Sequence, residues 1–254
     1  MTAVTSYADV AAALASQWRR LDNWLSESDE DLLGIADQAS SLPGWTNRDL
    51  VIHLARAWSA LSVSEPSPIG TIPLTLAEYL GSYPSRADEI DELTRELSAL
   101  RHDDPLRAVK DEASVALSKL KEFEEVARGY GLADPGDLVI QARRGPILLR
   151  DMVISRLVEL VVHAIDLSKS FAGILDSRGE ANPILPSAAQ IVAEELLHIV
   201  LTRGGWSLVV SDPLRWIALA SGRSPYDVDE LARALEPTFT SDAVPDLGRM
   251  LPLL

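Results

Sequence analysis

Cysteine is absent from this chain of 254 residues. No disulfide can staple it, and no protein thiol can serve as nucleophile or metal ligand, so any thiol chemistry must come from another molecule. Apolar runs are short: none reaches the roughly 18 residues that a membrane span requires. The opening "MTAVTSYADV" has no basic stretch leading into an apolar one and does not read as a signal peptide; the expected location is the cytoplasm. Positive charge is scarce too. Against 38 Asp and Glu stand 23 Lys and Arg, a formal net charge of −15. That balance argues against nucleic acid and against an anionic membrane surface as partners, since both need clustered basic residues. Gly-rich phosphate loops, a Ser-elbow motif and the H-E-x-x-H pattern are likewise missing.

What remains is an ordinary globular composition, 47% hydrophobic and 24% charged, with length for one large domain or two small ones. Val10, Leu14, Trp18, Leu21, Trp24 and Leu25 recur at helical spacing and predict a helix over residues 6–28. "DEDLLGIADQASSLPGW" reads as a connection that ends at Pro43-Gly44. Thr46 stands three residues before Asp49, a capping-box start for a helix reaching Ser62, and 64–73 is a Pro-rich loop. Helical stretches follow over 74–100, bent near Pro84 or doubled by it, and over 106–128. "DLVIQA" and "PILL" predict a hairpin turning at "RRG", before a helix over 151–171. After a Gly/Asn/Pro-rich linker at 173–186, a helix over 187–202, one strand at 206–211 and short helices near "PLRWIALAS" and "VDELARAL" complete the chain. The expected fold is mainly α: a four-helix bundle over residues 1–172 with a short β-hairpin, and a small α+β C-terminal segment over 187–254.

Chemistry concentrates in "RLVELVVHAIDL", residues 156–167. At about 100° per residue, Arg156, Glu159, His163 and Asp166 fall on one face, within a sector of roughly 100°, of a helix that is otherwise apolar. Glu159 and His163 are one turn apart and can reach one point. With a His from another helix they make three donors, and three donors leave a divalent metal an open position. Of the remaining histidines, His53 in "RDLVIHLARAW" offers itself for this, while His102 and His198 read as solvated or unpartnered. Imidazole and carboxylate together suit Zn²⁺, with Ni²⁺, Fe²⁺ or Mn²⁺ as substitutes. A hydrogen-bonded surface pair is the competing reading of Glu159 and His163; the apolar setting weighs against it, because a buried carboxylate needs a partner. Arg156 either pairs with Glu159 or orients a ligand, and Asp166 either holds the second nitrogen of His163 or forms a surface ion pair. The six tryptophans are expected in core or interface, with Trp45 or Trp58 as a pocket wall.

"SLPGWTNRDLVIHLARAW" (41–58) followed by "LLRDMVISRLVELVVHAIDL" (148–167) resembles the mycothiol-dependent maleylpyruvate isomerase family, within the wider group of DinB-like metal-binding four-helix bundles. The likeness covers residues 6–172. It implies a divalent metal, usually zinc, held by His53, Glu159 and His163, and a cosubstrate thiol, mycothiol in actinobacteria, activated on that metal. Isomerisation or S-transfer on a small electrophilic substrate is the implied activity. "DPLRWIALASGRSPYD" (212–227) and the ending "LGRMLPLL" resemble the family's sterol-carrier-like C-terminal segment, although several strands would be expected there. That likeness nominates Arg223 to hold a substrate carboxylate. The alternative is a bundle that binds metal or an apolar ligand without catalysis, as a carrier or regulatory protein. A C2 homodimer is the default assembly.

Overall fold

The computed structural model of the protein describes residues 5–175, 182–239 and 243–254. Four long helices form its bundle: α1 (Tyr7–Glu27), α3 (Asn47–Ser62), α6 (Pro105–Gly129) and α7 (Leu149–Leu175). Each of α1 and α3 packs against both α6 and α7. The apolar spacing read in α1 is the reason: Val10, Leu14, Leu21 and Leu25 lie fully inside, so one stripe of the helix is removed from water. α7 has no polar face along its middle turns. From Met152 to Ala164 every side chain is buried, the charged ones included. Such a helix is the central element, covered on all sides, and its polar groups have to find partners within the protein.

Several shorter elements depart from the expectations. The connection after α1 contains a helix, α2 (Asp29–Ile35). Of the two readings of 74–100, the doubled helix is the one that forms, not the bent one. It divides into α4 (Leu76–Leu80), a 3₁₀ turn at Pro84–Arg86 and α5 (Ala87–Leu100). Pro84 cannot donate to the preceding turn, and Thr75 caps α4 with a complete capping box of its own through Glu78. The hairpin forms as β2 (Val139–Ala142) and β3 (Gly145–Leu148), with Arg143 and Arg144 as its turn. The Pro-rich loop adds a two-residue strand, β1 (Glu65–Pro66), giving an antiparallel sheet of order β1-β2-β3. No non-glycine residue described has a positive φ, so the unusual backbone of the turn falls on Gly145 (φ 131°). A Cβ there would also meet Leu74 Cδ1 at 2.9 Å.

In the C-terminal part α8 (Pro186–Gly204), α9 (Pro213–Ala220) and α10 (Val228–Ala234) carry two strands rather than one, β4 (Leu208–Val210) paired antiparallel with β5 (Leu235–Pro237). Part of the linker at 173–186 lies outside the described residues. α8 packs on α1 and α7, and Trp216 of α9, fully buried, donates from Nε1 to the Ala193 carbonyl at 3.0 Å. One apolar cluster therefore runs from the bundle into this part. Among the described residues no helix is long and apolar enough to cross a membrane.

Candidate metal centre

The capping box read at the start of α3 is present. Asp49 N donates to Thr46 Oγ1 at 3.1 Å, and Thr46 N donates to Asp49 Oδ2 at 2.9 Å. It fixes the first turn of α3 and thereby the position of His53, two turns further on. There His53 meets the middle of α7. Its Nε2 lies 3.4 Å from Glu159 Oε2, while His163 Nε2 lies 3.1 Å from the same oxygen. The two imidazoles stand edge to face, 4.6 Å apart at 72°. One donor atom from each of His53, Glu159 and His163 falls within 4.8 Å of the others, and all three residues are buried.

The other ring nitrogens fix the tautomers. Thr94 Oγ1 donates to the Ile90 carbonyl at 2.7 Å, which leaves it to accept from His53 Nδ1 at 3.4 Å. His163 Nδ1 donates to Asp166 Oδ2 at 3.0 Å. With both Nδ1 atoms protonated, as metal binding requires, both Nε2 lone pairs would face the Glu159 carboxylate; without metal, His163 Nε2 is instead a hydrogen-bonding partner of Glu159 Oε2. In that tautomeric state the two nitrogens and the carboxylate are three acceptors in a buried place, a set that a cation, a proton or a metal, completes. Held imidazoles of this kind are the usual support of metal-binding histidines.

Electrostatics follow the same plan. Burial, then the neighbouring His163, lowers the His53 pKa to about 4, so this imidazole stays neutral. Burial also opposes charge on His163, but hydrogen bonds to Asp166 and Glu159 override it and raise its pKa. Glu159 is held well below the ordinary carboxylate range: desolvation is outweighed by its bonds to His163 and His53 and by the charge of Arg156. Without metal, the carboxylates of Glu159 and Asp166 thus favour protonation of His163.

The two nominated arginines are both present and both occupied. Arg156 is 3% exposed and spends its donors on the Ala57 carbonyl (2.7 Å), Tyr83 Oη (2.9 Å) and Ser155 Oγ (3.3 Å), with Glu159 Oε1 at 3.9 Å from Nη2. Arg223, just after α9, is farther from the donors. Its Nε and Nη2 engage Asp166 at 3.0 to 3.2 Å, and its Nη1 donates to the Ser221 carbonyl. Asp166 is 1% exposed, so the surface ion pair considered for it does not occur: it links His163 to Arg223 in the interior.

The donors open on a cavity of about 650 Å³. Trp45 is one of its walls, its ring 4.9 Å from His53 and its Nε1 bonded to Asp91 Oδ1 at 2.6 Å. Trp58 is not a wall; it packs in the core against Trp18. His102 and His198 are exposed. Sequence reasoning missed Thr94, and gave no cavity role to Tyr83, Arg56, Arg143 and Arg144, which line the cavity from separate elements. Only the "RRG" turn itself gave a signal.

The family model described as "Mycothiol maleylpyruvate isomerase N-terminal domain" matches residues 14–168, more than half of the chain. No curated protein matches. Among solved structures, "Crystal structure of the mycothiol-dependent maleylpyruvate isomerase" superposes with a TM-score of 0.50 at 16% identity, covering 83% of this chain and 80% of that one. At that identity the likeness is one of fold.

Proposed function

The chain belongs to the mycothiol maleylpyruvate isomerase N-terminal domain family, and from that premise we propose that it is a metal-dependent enzyme. His53, Glu159 and His163 hold a divalent metal, zinc foremost. A low-molecular-weight thiol, mycothiol or one like it, is the cosubstrate, and the reaction is isomerisation or S-transfer on a small electrophile. The observation that carries this reading is the convergence of two imidazole nitrogens and a carboxylate, all buried, beside a cavity large enough for small molecules. Such a metal supplies Lewis acidity, which lowers the pKa of a coordinated thiol so that thiolate exists at neutral pH.

The chain's own groups have distinct tasks. Thr94 and Asp166 orient the two imidazoles. Arg156, with each of its three nitrogens hydrogen-bonded, positions Tyr83 and lies beside Glu159 at the cavity wall. Tyr83 lines the cavity and keeps its proton, because burial and the nearby Glu159 raise its pKa; the hydroxyl accepts from Arg156 and has its own proton left for a ligand. Arg223 lines the cavity edge, but its commitment to Asp166 makes it a positioning residue for His163 in this reading rather than a free carboxylate receptor. The cavity, mixed in polarity and open to the donors, favours catalysis over the carrier alternative.

Elemental analysis of the purified protein tests this directly. One divalent metal per chain is expected in the wild type, and loss of it in His53→Ala with the circular dichroism spectrum retained. After cobalt substitution, mycothiol should change the visible spectrum of the metal. A wild type that takes up no metal when metal is supplied sinks the proposal.

A further inference from the structure

Tyr83 is gripped from three separate elements. Arg144, in the hairpin turn, lies over its ring at 3.8 Å, and Tyr79 of α4 meets that ring edge to face at 6.4 Å and 67°. Arg156 of α7 donates from Nη2 to its hydroxyl oxygen at 2.9 Å. The backbone is held as well: Tyr83 N donates to the Leu80 carbonyl and Arg86 N to the Tyr83 carbonyl, both at 3.0 Å, and Pro84 opens the 3₁₀ turn that follows. Ring, oxygen and backbone are thus each fixed by a different contact, so the fold sets where the hydroxyl stands.

This grip leaves one group unspent. A phenol both accepts and donates. Arg156 uses the oxygen, while the proton has no acceptor among the described residues. A donor arriving at the oxygen steers that proton away from itself, and Tyr83 lines the cavity. The guanidinium also polarises the O–H bond, which strengthens it as a donor. Burial and the nearby charge of Glu159 meanwhile keep the proton on the phenol. The hydroxyl therefore gives a hydrogen bond without giving up its proton.

Its place relative to His53, Glu159 and His163 completes the picture. Arg156 Nη2 is 2.9 Å from the hydroxyl and 3.9 Å from Glu159 Oε1, so the hydroxyl stands within about 7 Å of that carboxylate. A few covalent bonds of a small molecule span such an interval. We propose that Tyr83 is a catalytic residue whose hydroxyl donates a hydrogen bond to the substrate oxygen on which negative charge collects when the thiol attacks. The role rests on the thiol-dependent reading above. Attack forms a carbon–sulfur bond and pushes a pair of π electrons onto that oxygen. Tyr83 stabilises the charge and keeps its proton. The pair returns when the carbon–sulfur bond breaks, or water protonates the adduct carbon when the thiol stays. A donor already aimed at the developing charge needs no reorganisation during the reaction. Arg156 and Arg144 are then positioning residues, one for the oxygen and one for the ring.

The probe is benzalacetone, an uncharged chromophoric enone, bound to the full-length metal-loaded protein before any thiol is added. Donation from Tyr83 should lower its carbonyl stretching frequency and move its absorption band to the red. Tyr83→Phe should abolish both shifts with metal content unchanged. Tyr83 replaced by 3-fluorotyrosine keeps the oxygen that Arg156 needs and is a stronger donor, so the shifts should grow. With mycothiol added, Tyr83→Phe should lower kcat for addition about a hundredfold and leave KM nearly unchanged. Absence of any shift in the wild type, or shifts that survive Tyr83→Phe, overturns the inference even if metal and thiol behave as proposed. Shifts that vanish with chelator yet survive Tyr83→Phe assign the polarisation to the metal and overturn it too. A protein that takes up no metal but shifts the probe through Tyr83 removes the metal reading and leaves the donor standing.

Discussion

Asp166→Asn is the most informative single change, because it removes one charge and almost no volume. Asp166 receives His163 Nδ1 at 3.0 Å and Arg223 through Nε and Nη2 at 3.0 to 3.2 Å, with 1% of its surface exposed. Asparagine keeps an acceptor for His163, so the imidazole stays in place, but the bond is no longer assisted by charge. The difference between a charge-assisted and a neutral hydrogen bond is about 1 to 1.5 kcal/mol. His163 thereby becomes a weaker donor, and metal affinity should fall about tenfold, with a hundredfold as the outer bound for losing such a supporting carboxylate. Arg223 keeps about a fifth of its side chain exposed, so water softens its loss of a partner. A stability cost of roughly 1 to 3 kcal/mol follows, short of that for a fully enclosed pair. Metal affinity would be measured by competition with a chromophoric chelator, and stability by urea unfolding of the metal-free form. Arg223→Gln alone should lower metal affinity less, and adding it to Asp166→Asn should cause almost no further loss. An Asp166→Asn protein that binds metal within twofold of wild type would refute the idea that this carboxylate supports the centre.

Thr46→Ala deletes the cap that starts α3 and should cost about 1 kcal/mol, a fall of some 2 to 4 °C in melting temperature for a chain of this size; no shift by calorimetry would mean that packing alone fixes this end. Metal affinity should rise with pH, about tenfold per unit, until the raised pKa of His163 is passed, since its Nε2 must shed a proton to become a donor. His53, at about 4, adds no slope near neutrality. The sign reverses for the metal-free fold. The stabilisation from a raised His163 is fully present below its ordinary value of 6.5 and is lost as pH rises through the folded pKa. Calorimetry in buffers of differing ionisation heat would count the proton released, and a pH-independent affinity would contradict the charge assignment.

The bundle and the pairing of Glu159 with His163 were legible because both depend on local periodicity, whereas His53 joined them chiefly through the family resemblance of its motif. Glu159 and His163 share a face by spacing alone, and the cap at Thr46 sets the frame of His53. What was illegible depends on partners distant in the chain. Nothing near Asp166 shows that Arg223 would close on it, and nothing near His53 points to Thr94. The break of 74–100 into α4 and α5 was half visible, since Pro84 marks a bend but Thr75 and Glu78 had to be recognised as a second cap. α2 is seven residues long, β1 two and β5 three. Elements so short owe their form to what they pack against, and their own residues carry little signal.

The turn at Arg143-Arg144 gives the molecule an adjustable part. It hangs from two short strands whose register is set by Ala142 opposite Gly145, and it reaches a cavity whose His53, Glu159 and His163 all belong to helices. Because side chains alternate along a strand, one residue gained or lost in that hairpin would exchange inward and outward positions at a stroke. The helices would hold their places meanwhile. Change in that hairpin would therefore reshape the cavity wall while the helices that carry His53, Glu159 and His163 keep their places.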